Sequence, residues 1–315
     1  MKRKVDDGMK KLLSLLLVAV LALGLMAGSA LALVEENPCL NAAFSMLEKD
    51  NIFLRRYNDI TGANIQPVFE YGMPYYFGGQ DANYILQKAP QYTKVTVGAD
   101  TGGTKFFKVG MTFIRGFDCS GYTKWICRQA GLNEFGEKGH PGLQAMILDD
   151  IYKENNHIFS GGSKAVKLKS KPMPAYDQLK DTLIVGDMLV SNDGSRHIMM
   201  YIGTLRDYGF TAEEVPELAD YLDYPLVIHD GPSPVAGERF QKFIDENSYY
   251  SNCNTTNGCV NVSIVGDLSK VAPNHIRQLQ KKDYDYFLID NGTCPLTVRD
   301  LTKATSFCWF RVHAQ

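Results

Sequence analysis

Hydrophobic and polar positions divide the chain into an apolar leader, a helical start, a polar middle around one amphipathic helix, and a run of strands. Residues 12–26 are almost all apolar, follow Lys10 and Lys11, and lead to Ala30-Leu31-Ala32. A basic start, an apolar run and an A-x-A site read as a secretory signal over 1–32. Met9 offers a second start, because the run from it lacks the acidic interruption at Asp6 and Asp7. The competing reading is a membrane anchor, but the run is short and ends in a cleavage site. Cys39 follows Glu36-Asn37-Pro38 rather than small residues, which argues against a lipid anchor. No second apolar stretch is long enough to span a bilayer, so no stable membrane anchor is expected after cleavage.

Residues 33–66 read as mainly helical. Leu40, Ala43, Phe44 and Leu47 recur at i, i+3, i+4 and i+7, and Thr61-Gly62-Ala63-Asn64 closes the segment. Residues 67–80 combine aromatics with a Gly-Gly turn. Residues 81–116 are polar and centred on ADTGGTK, which reads as a long loop or hairpin. Tyr122, Trp125, Ile126 and Ala130 then mark a helix that Gly131 stops. A further helix is expected from Leu143 to Glu154. Strands follow at 183–190, 197–202 and 225–229, the first two joined by an Asp-Gly hairpin turn, with an aromatic strand at 307–312. No repeat and no low-complexity linker appears. The reading is one catalytic domain over 67–315, preceded by the 33–66 segment and carrying insertions at about 80–116 and 235–305.

Composition narrows the partners. Without residues 1–32, which hold five Lys/Arg and two Asp, 283 residues remain with 28 basic and 33 acidic side chains and a formal charge of −5. That balance argues against a general nucleic-acid binder. Seven cysteines is an odd number for an exported chain, so one thiol is expected to lack a disulfide partner. If Cys119 is that one, Cys39, Cys127, Cys253, Cys259, Cys294 and Cys308 remain. Cys253 and Cys259 flank a turn-rich loop and form the most local candidate pair. Cys127, within the helix, is expected to be buried rather than bridged.

Cys119 lies between Asp118 and Ser120, where a loop turns into the amphipathic helix. A thiol at a helix N-terminus faces unpaired N–H groups and the positive end of the macrodipole, which favour thiolate. The segment alone leaves two readings open, a nucleophile or a small buried cysteine. A nucleophilic cysteine needs a base and a group to orient that base. His197 opens one strand and His229 closes the next. If the two strands pair antiparallel, both imidazoles meet at one sheet edge, where one can take the thiol proton while the other orients it. Zinc is the competing use of Cys and His. Cys253 and Cys259, with five residues between them and no histidine nearby, make a poor ligand set, so no metal and no cofactor is expected.

Four motifs in order carry a resemblance. They are Tyr75-Tyr76-Phe77-Gly78-Gly79; Asp118-Cys119-Ser120-Gly121; Gly186-Asp187-Met188-Leu189 followed by His197-Ile198-Met199-Met200-Tyr201-Ile202-Gly203; and Val227-Ile228-His229. In these the chain resembles the NlpC-type cysteine peptidases of bacterial cell walls, a papain-like group. The resemblance implies an α+β fold in which the helix bearing the catalytic cysteine packs on a small antiparallel sheet. It implies Cys119 as nucleophile, His197 as base and His229 as the orienting residue. Tyr75 would lie near the thiolate, and the Cys119 amide would help bind an oxyanion. Asp118 and Ser120 would line the subsite that reads the peptide end.

The implied activity is cofactor-free hydrolysis of amide bonds in peptidoglycan stem peptides, at the bond from D-glutamate to a diamino acid. The implied setting is the bacterial cell wall, with peptidoglycan or muropeptides as partner. The spans from Gly79 to Cys119 and from His197 to His229 exceed the family pattern. Met199 stands where the family has glycine, and residues 235–305 have no counterpart in it. An amidase or acyl transferase on the same scaffold, and a non-catalytic wall- or peptide-binding protein, are the alternatives.

Overall fold

The structure is a computed structural model that describes residues 37–75, 79–88, 93–96, 104–107, 112–131, 158–159, 163–164, 166–168, 176–192, 196–232, 258–267, 276–278, 287–289, 296–299 and 306–310. The expected signal at 1–32 and the expected helix at 143–154 lie outside these residues. Among the described residues no helix is long and apolar enough to cross a membrane.

The helical start consists of two helices. Helix α1 spans Pro38–Phe44 and α2 spans Ile52–Thr61. Asn37 caps α1 by accepting the Cys39 and Leu40 N–H groups, and Pro38 opens it at a position that needs no donor. Asn51 caps α2 in the same way, and Gly62 ends it in the left-handed conformation at φ 72°. The stripe of Leu40, Ala43, Phe44 and Leu47 is buried as the periodicity predicts.

The described residues between 80 and 117 form nested antiparallel pairs, in keeping with the hairpin reading. Strand β1 (Gln80–Lys88) pairs with β4 (Thr112–Phe117), and β2 (Thr93–Thr96) pairs with β3 (Thr104–Phe107) inside them. Helix α3, Cys119–Gln129, follows directly. A short pair, β5 (Ile158–Phe159) with β6 (Ser163–Lys164), stands apart from the main sheet.

The main sheet collects β7 (Val166–Leu168), β8 (Met188–Asn192), β9 (Arg196–Thr204), β10 (Pro225–Pro232), β11 (Gly258–Val265), β12 (Ile276–Gln278), β13 (Phe287–Ile289), β14 (Leu296–Arg299) and β15 (Ser306–Phe310). Its order is β12-β13-β14-β11-β10-β9-β8-β15-β7. All pairs are antiparallel except β11 with β14, which run parallel. The chain is therefore α+β with a nine-stranded mixed sheet, not a small antiparallel one. The difference comes from residues 258–299, which supply four strands where the sequence suggested an irregular insertion.

Strand β8 also starts later than expected, at Met188 rather than Leu183. A turn precedes it: the Asp187 carboxylate accepts the Ile184 N–H at 2.8 Å, and Gly186 holds φ 98°. The closing strand ends at Phe310, within the 307–312 expected.

Both faces of the sheet centre are covered. Ile198, Met200, Ile202, Leu226, Ile228, Val260, Val262 and Ile264 face a core shared with α1, α2 and α3. Leu189, Met199, Tyr201, Val227 and Val265 face a second core with Trp309, Tyr176 and Leu179. This is why His197-to-Gly203 reads as a continuous apolar run instead of an alternating one. It also packs residues 37–66 against the main sheet.

Gly116 is fixed by a close approach. A Cβ there would lie 1.9 Å from the Pro74 carbonyl oxygen. The carbonyl also accepts the Phe117 N–H at 3.1 Å, so it cannot move away without breaking that bond. Gly116→Ala is expected to lower unfolding free energy by about 3 kcal/mol, the upper end of ordinary overpacking. Chemical denaturation checks this, and a variant as stable as the parent refutes it.

Candidate active site

The approach to Cys119 is held by the tyrosine–glycine segment. The Phe117 N–H donates to the Pro74 carbonyl and the Asp118 N–H to the Gly79 carbonyl, each at 3.1 Å. Tyr75 forms a bridge with Phe117, two residues before Cys119. Asp118 is in extended conformation and caps α3. Its Oδ1 accepts the Gly121 N–H at 2.7 Å and the Ser120 hydroxyl at 2.8 Å. Asp118 and Ser120 thus act together in the cap that places Cys119 in the first turn. Cys119 itself is buried, at 9% exposure.

The sheet opens to receive this thiol. Strands β9 and β10 pair from Pro225↔Thr204 as far as Ile228↔Met200 and no further. Strand β10 then continues on β11 alone, through His229↔Asn261, Asp230↔Val260 and Gly231↔Cys259. Continued pairing would have set Ile198 against Asp230. Instead the Ile198 N–H is donated to the Cys119 sulphur, as is the Ser120 N–H. The thiol therefore meets β9 at the residue that follows His197.

His197 and His229 come together across the same opening. His197 Nε2 lies 3.0 Å from His229 Nδ1, with ring centroids 4.7 Å apart and planes at 89°. Gly231 makes room for the crossing, since a Cβ there would sit 3.1 Å from His197 Cε1 and 3.2 Å from His229 Nδ1. The two histidines share a site, as strand order predicts. They lie on interior strands rather than at a sheet edge, because β11, β14, β13 and β12 extend the sheet beyond β10. Met199, at the expected glycine position, is fully buried in the second core.

Several site residues were missed by sequence reading. His229 Nε2 lies 2.7 Å from Ser263 Oγ. Ser263 contacts Thr297 Oγ1 and lies 3.3 Å from Asn261 Oδ1, and Thr297 donates to Asn261 Oδ1 at 2.8 Å. The clue was in Cys259-Val260-Asn261-Val262-Ser263-Ile264-Val265, where a polar side chain recurs every second residue of an apolar strand. The expected Cys253–Cys259 pair falls partly outside the described residues. The Cys259 sulphur lies 3.2 Å from the Val260 carbonyl, and Cys127 is a buried thiol as expected.

Burial decides the electrostatics. It pushes the Cys119 thiol up to about 12, and Asp118 and Asp230 add to the rise, against the two N–H groups that lower it. Burial thus opposes the helix N-terminus, which favours the thiolate. His197 and His229 are held well below the ordinary histidine range, first by burial and then by the Arg299 charge. Asp230 is fully buried and held well above the carboxylate range, by burial and then by Asp118. The Gly231 N–H favours its charged form, but among the described residues neither carboxyl oxygen has a partner within hydrogen-bond geometry. Among the described residues no group of three or more His, Cys, Asp or Glu is placed to hold a metal ion.

No protein-family model matches the chain, and neither the curated proteins nor the solved structures contain a significant match.

Two outcomes follow. Histidines held neutral contribute stability that is present above the ordinary histidine pKa of about 6.5 and lost as pH falls below it. Tm is expected to drop on acidification through that range, and His229→Gln to flatten the drop. Equal slopes for the two proteins would refute the assignment. Asp230 has the opposite sign: its contribution is present below about 3.9 and lost as pH rises. Asp230→Asn is expected to raise Tm relative to the parent near neutral pH. It is also expected to start iodoacetamide alkylation of Cys119 at lower pH, read by mass of the Cys119 peptide. An unchanged alkylation profile would show that Asp230 does not act on the thiol.

Proposed function

We propose that this chain is a secreted thiol peptidase of papain-like, NlpC-type architecture that hydrolyses an amide bond in peptidoglycan stem peptides. The bond is the one joining D-glutamate to a diamino acid. The observation that supports this most strongly is the 3.0 Å contact between His197 and His229 beside the strand opening that receives Cys119. It supplies a base, a group that orients it and a nucleophile from three separate elements.

The chemistry starts from neutral partners. With the thiol high and the imidazole low, no stable thiolate–imidazolium pair precedes the substrate. His197 accepts the Cys119 proton as the sulphur attacks the carbonyl carbon. The carbonyl oxygen takes the negative charge, and the Cys119 amide in the first turn of α3 is the donor that faces it. Collapse breaks the C–N bond, His197 returns the proton to the leaving amine, and a thioester remains. Water then attacks that thioester, His197 takes the water proton, and the acid leaves as the proton returns to sulphur. Substrate that excludes water and brings a dipole to the opening strengthens each of these transfers.

The remaining residues hold this arrangement. Tyr75, which bridges to Phe117 two residues before Cys119, would stand near the nucleophile. Asp118 and Ser120, fixed by the cap, line the subsite for the peptide end. The secretory reading of 1–32 and the net charge of −5 suit an exported enzyme whose substrate is a wall peptide.

A defined muropeptide mixture analysed by mass tests the reading. The parent protein is expected to add water across one stem-peptide bond. Addition of an amine instead would mark an acyl transferase, and an unchanged mixture would mark a binding protein. Cys119→Ala is expected to lose at least about 10³-fold in kcat with thermal unfolding unaltered. Turnover retained in that variant overturns the mechanism.

A further inference from the structure

We propose that Ser263, Thr297 and Asn261 form a one-way hydrogen-bond relay that fixes the tautomers of His197 and His229, leaving His197 Nδ1 as the proton acceptor. The inference rests on reading His197 as the base, and it concerns residues outside the motifs that carry the family resemblance.

The direction follows from counting hydrogens. Asn261 Nδ2 donates to the Cys259 carbonyl at 2.9 Å, which turns Asn261 Oδ1 toward the hydroxyls. That oxygen only accepts. Thr297 donates to it at 2.8 Å, and its other neighbour, the Val262 carbonyl at 3.1 Å, also only accepts. Thr297 has one hydrogen and both of these partners draw it, so Thr297 Oγ1 is left to accept from Ser263. Ser263 has then used its own hydrogen. Its secondary contact, Asn261 Oδ1 at 3.3 Å, draws that hydrogen the same way. Ser263 Oγ must therefore accept from His229 Nε2 at 2.7 Å. His229 carries its hydrogen on Nε2 and offers Nδ1 as a lone pair to His197 Nε2–H at 3.0 Å. The ring nitrogen of His197 without a hydrogen is Nδ1.

The opposite direction fails the same count. If Ser263 donated to His229, Thr297 would have to donate to Ser263. Both Asn261 Oδ1 and the Val262 carbonyl would then lose the Thr297 hydrogen inside a buried site. A buried acceptor left without a donor costs about 1–3 kcal/mol, so this arrangement is disfavoured. All five side chains are buried, so water does not compete for these bonds. Ser263, Thr297 and Asn261 do not reach the reacting atoms; they are positioning residues acting through His229. The relay also crosses four strands, β9, β10, β11 and β14, including the one parallel pair of the sheet. The parallel strand β14 thereby serves the site directly, because its pairing with β11 sets Thr297 opposite Ser263.

Ring nitrogen NMR of ¹⁵N-histidine-labelled protein tests this without any turnover. The parent is expected to show His197 and His229 both as Nε2–H tautomers, and a parent carrying Nδ1–H on either ring overturns the relay. Ser263→Ala removes the acceptor for His229 Nε2–H. It is expected to give mixed tautomers and a kcat lower by about 10–100-fold with KM unmoved, as for other residues that orient a functional histidine. Ser263→Ala with the parent tautomers also overturns it. If the parent tautomers are as stated but no muropeptide is cut by either protein, the relay stands and the peptidase reading fails.

Discussion

The structure turns on one interruption in backbone pairing. Strands β9 and β10 run together for four residue pairs and then part at Met200 and Ile228. An unpaired N–H inside a sheet is costly, and here the group released on β9 is that of Ile198. The Cys119 sulphur takes that N–H, so a side chain from α3 acts as the missing partner of a strand. The parting also lets His229 turn toward His197, with Gly231 leaving the space that a side chain would fill between the rings. Helix cap, strand opening and histidine contact are thus three parts of one local arrangement.

The same arrangement explains why the charges are suppressed. Burial removes water from the thiol, from both imidazoles and from Asp230, and each is driven to its neutral form. A thiol and an imidazole that are both neutral store little electrostatic energy at rest. Arg299 reinforces this by raising the cost of a second positive charge near the histidines.

Much of the site was legible because its parts are local. Asp118-Cys119-Ser120 before an amphipathic run states a capped helix with a cysteine in its first turn. His197 and His229 occupy sequential strands, and sequential strands pair more often than not. The strands from 258 to 299 were not legible, because their pairing joins β10 to β11 and then β11 to β14 in parallel across long chain separations. No local pattern encodes such partners. The burial of the thiol was not legible for a related reason. A helix dipole can be inferred from sequence, whereas the burial that opposes it depends on α1, α2 and the sheet closing around Cys119. The break between α1 and α2 is marked in the sequence by Asn51, which caps the second helix.

Strand β15 adds a consequence about timing. It is the last described strand, yet it lies between β8 and β7, and β8 in turn flanks the histidine strand β9. The edge of β8 that faces away from β9 therefore stays unpaired until residues from the far end of the chain return to it, a slow loop closure of high contact order. Support for the histidine strand on its β8 side thus comes from residues far along the chain from either histidine.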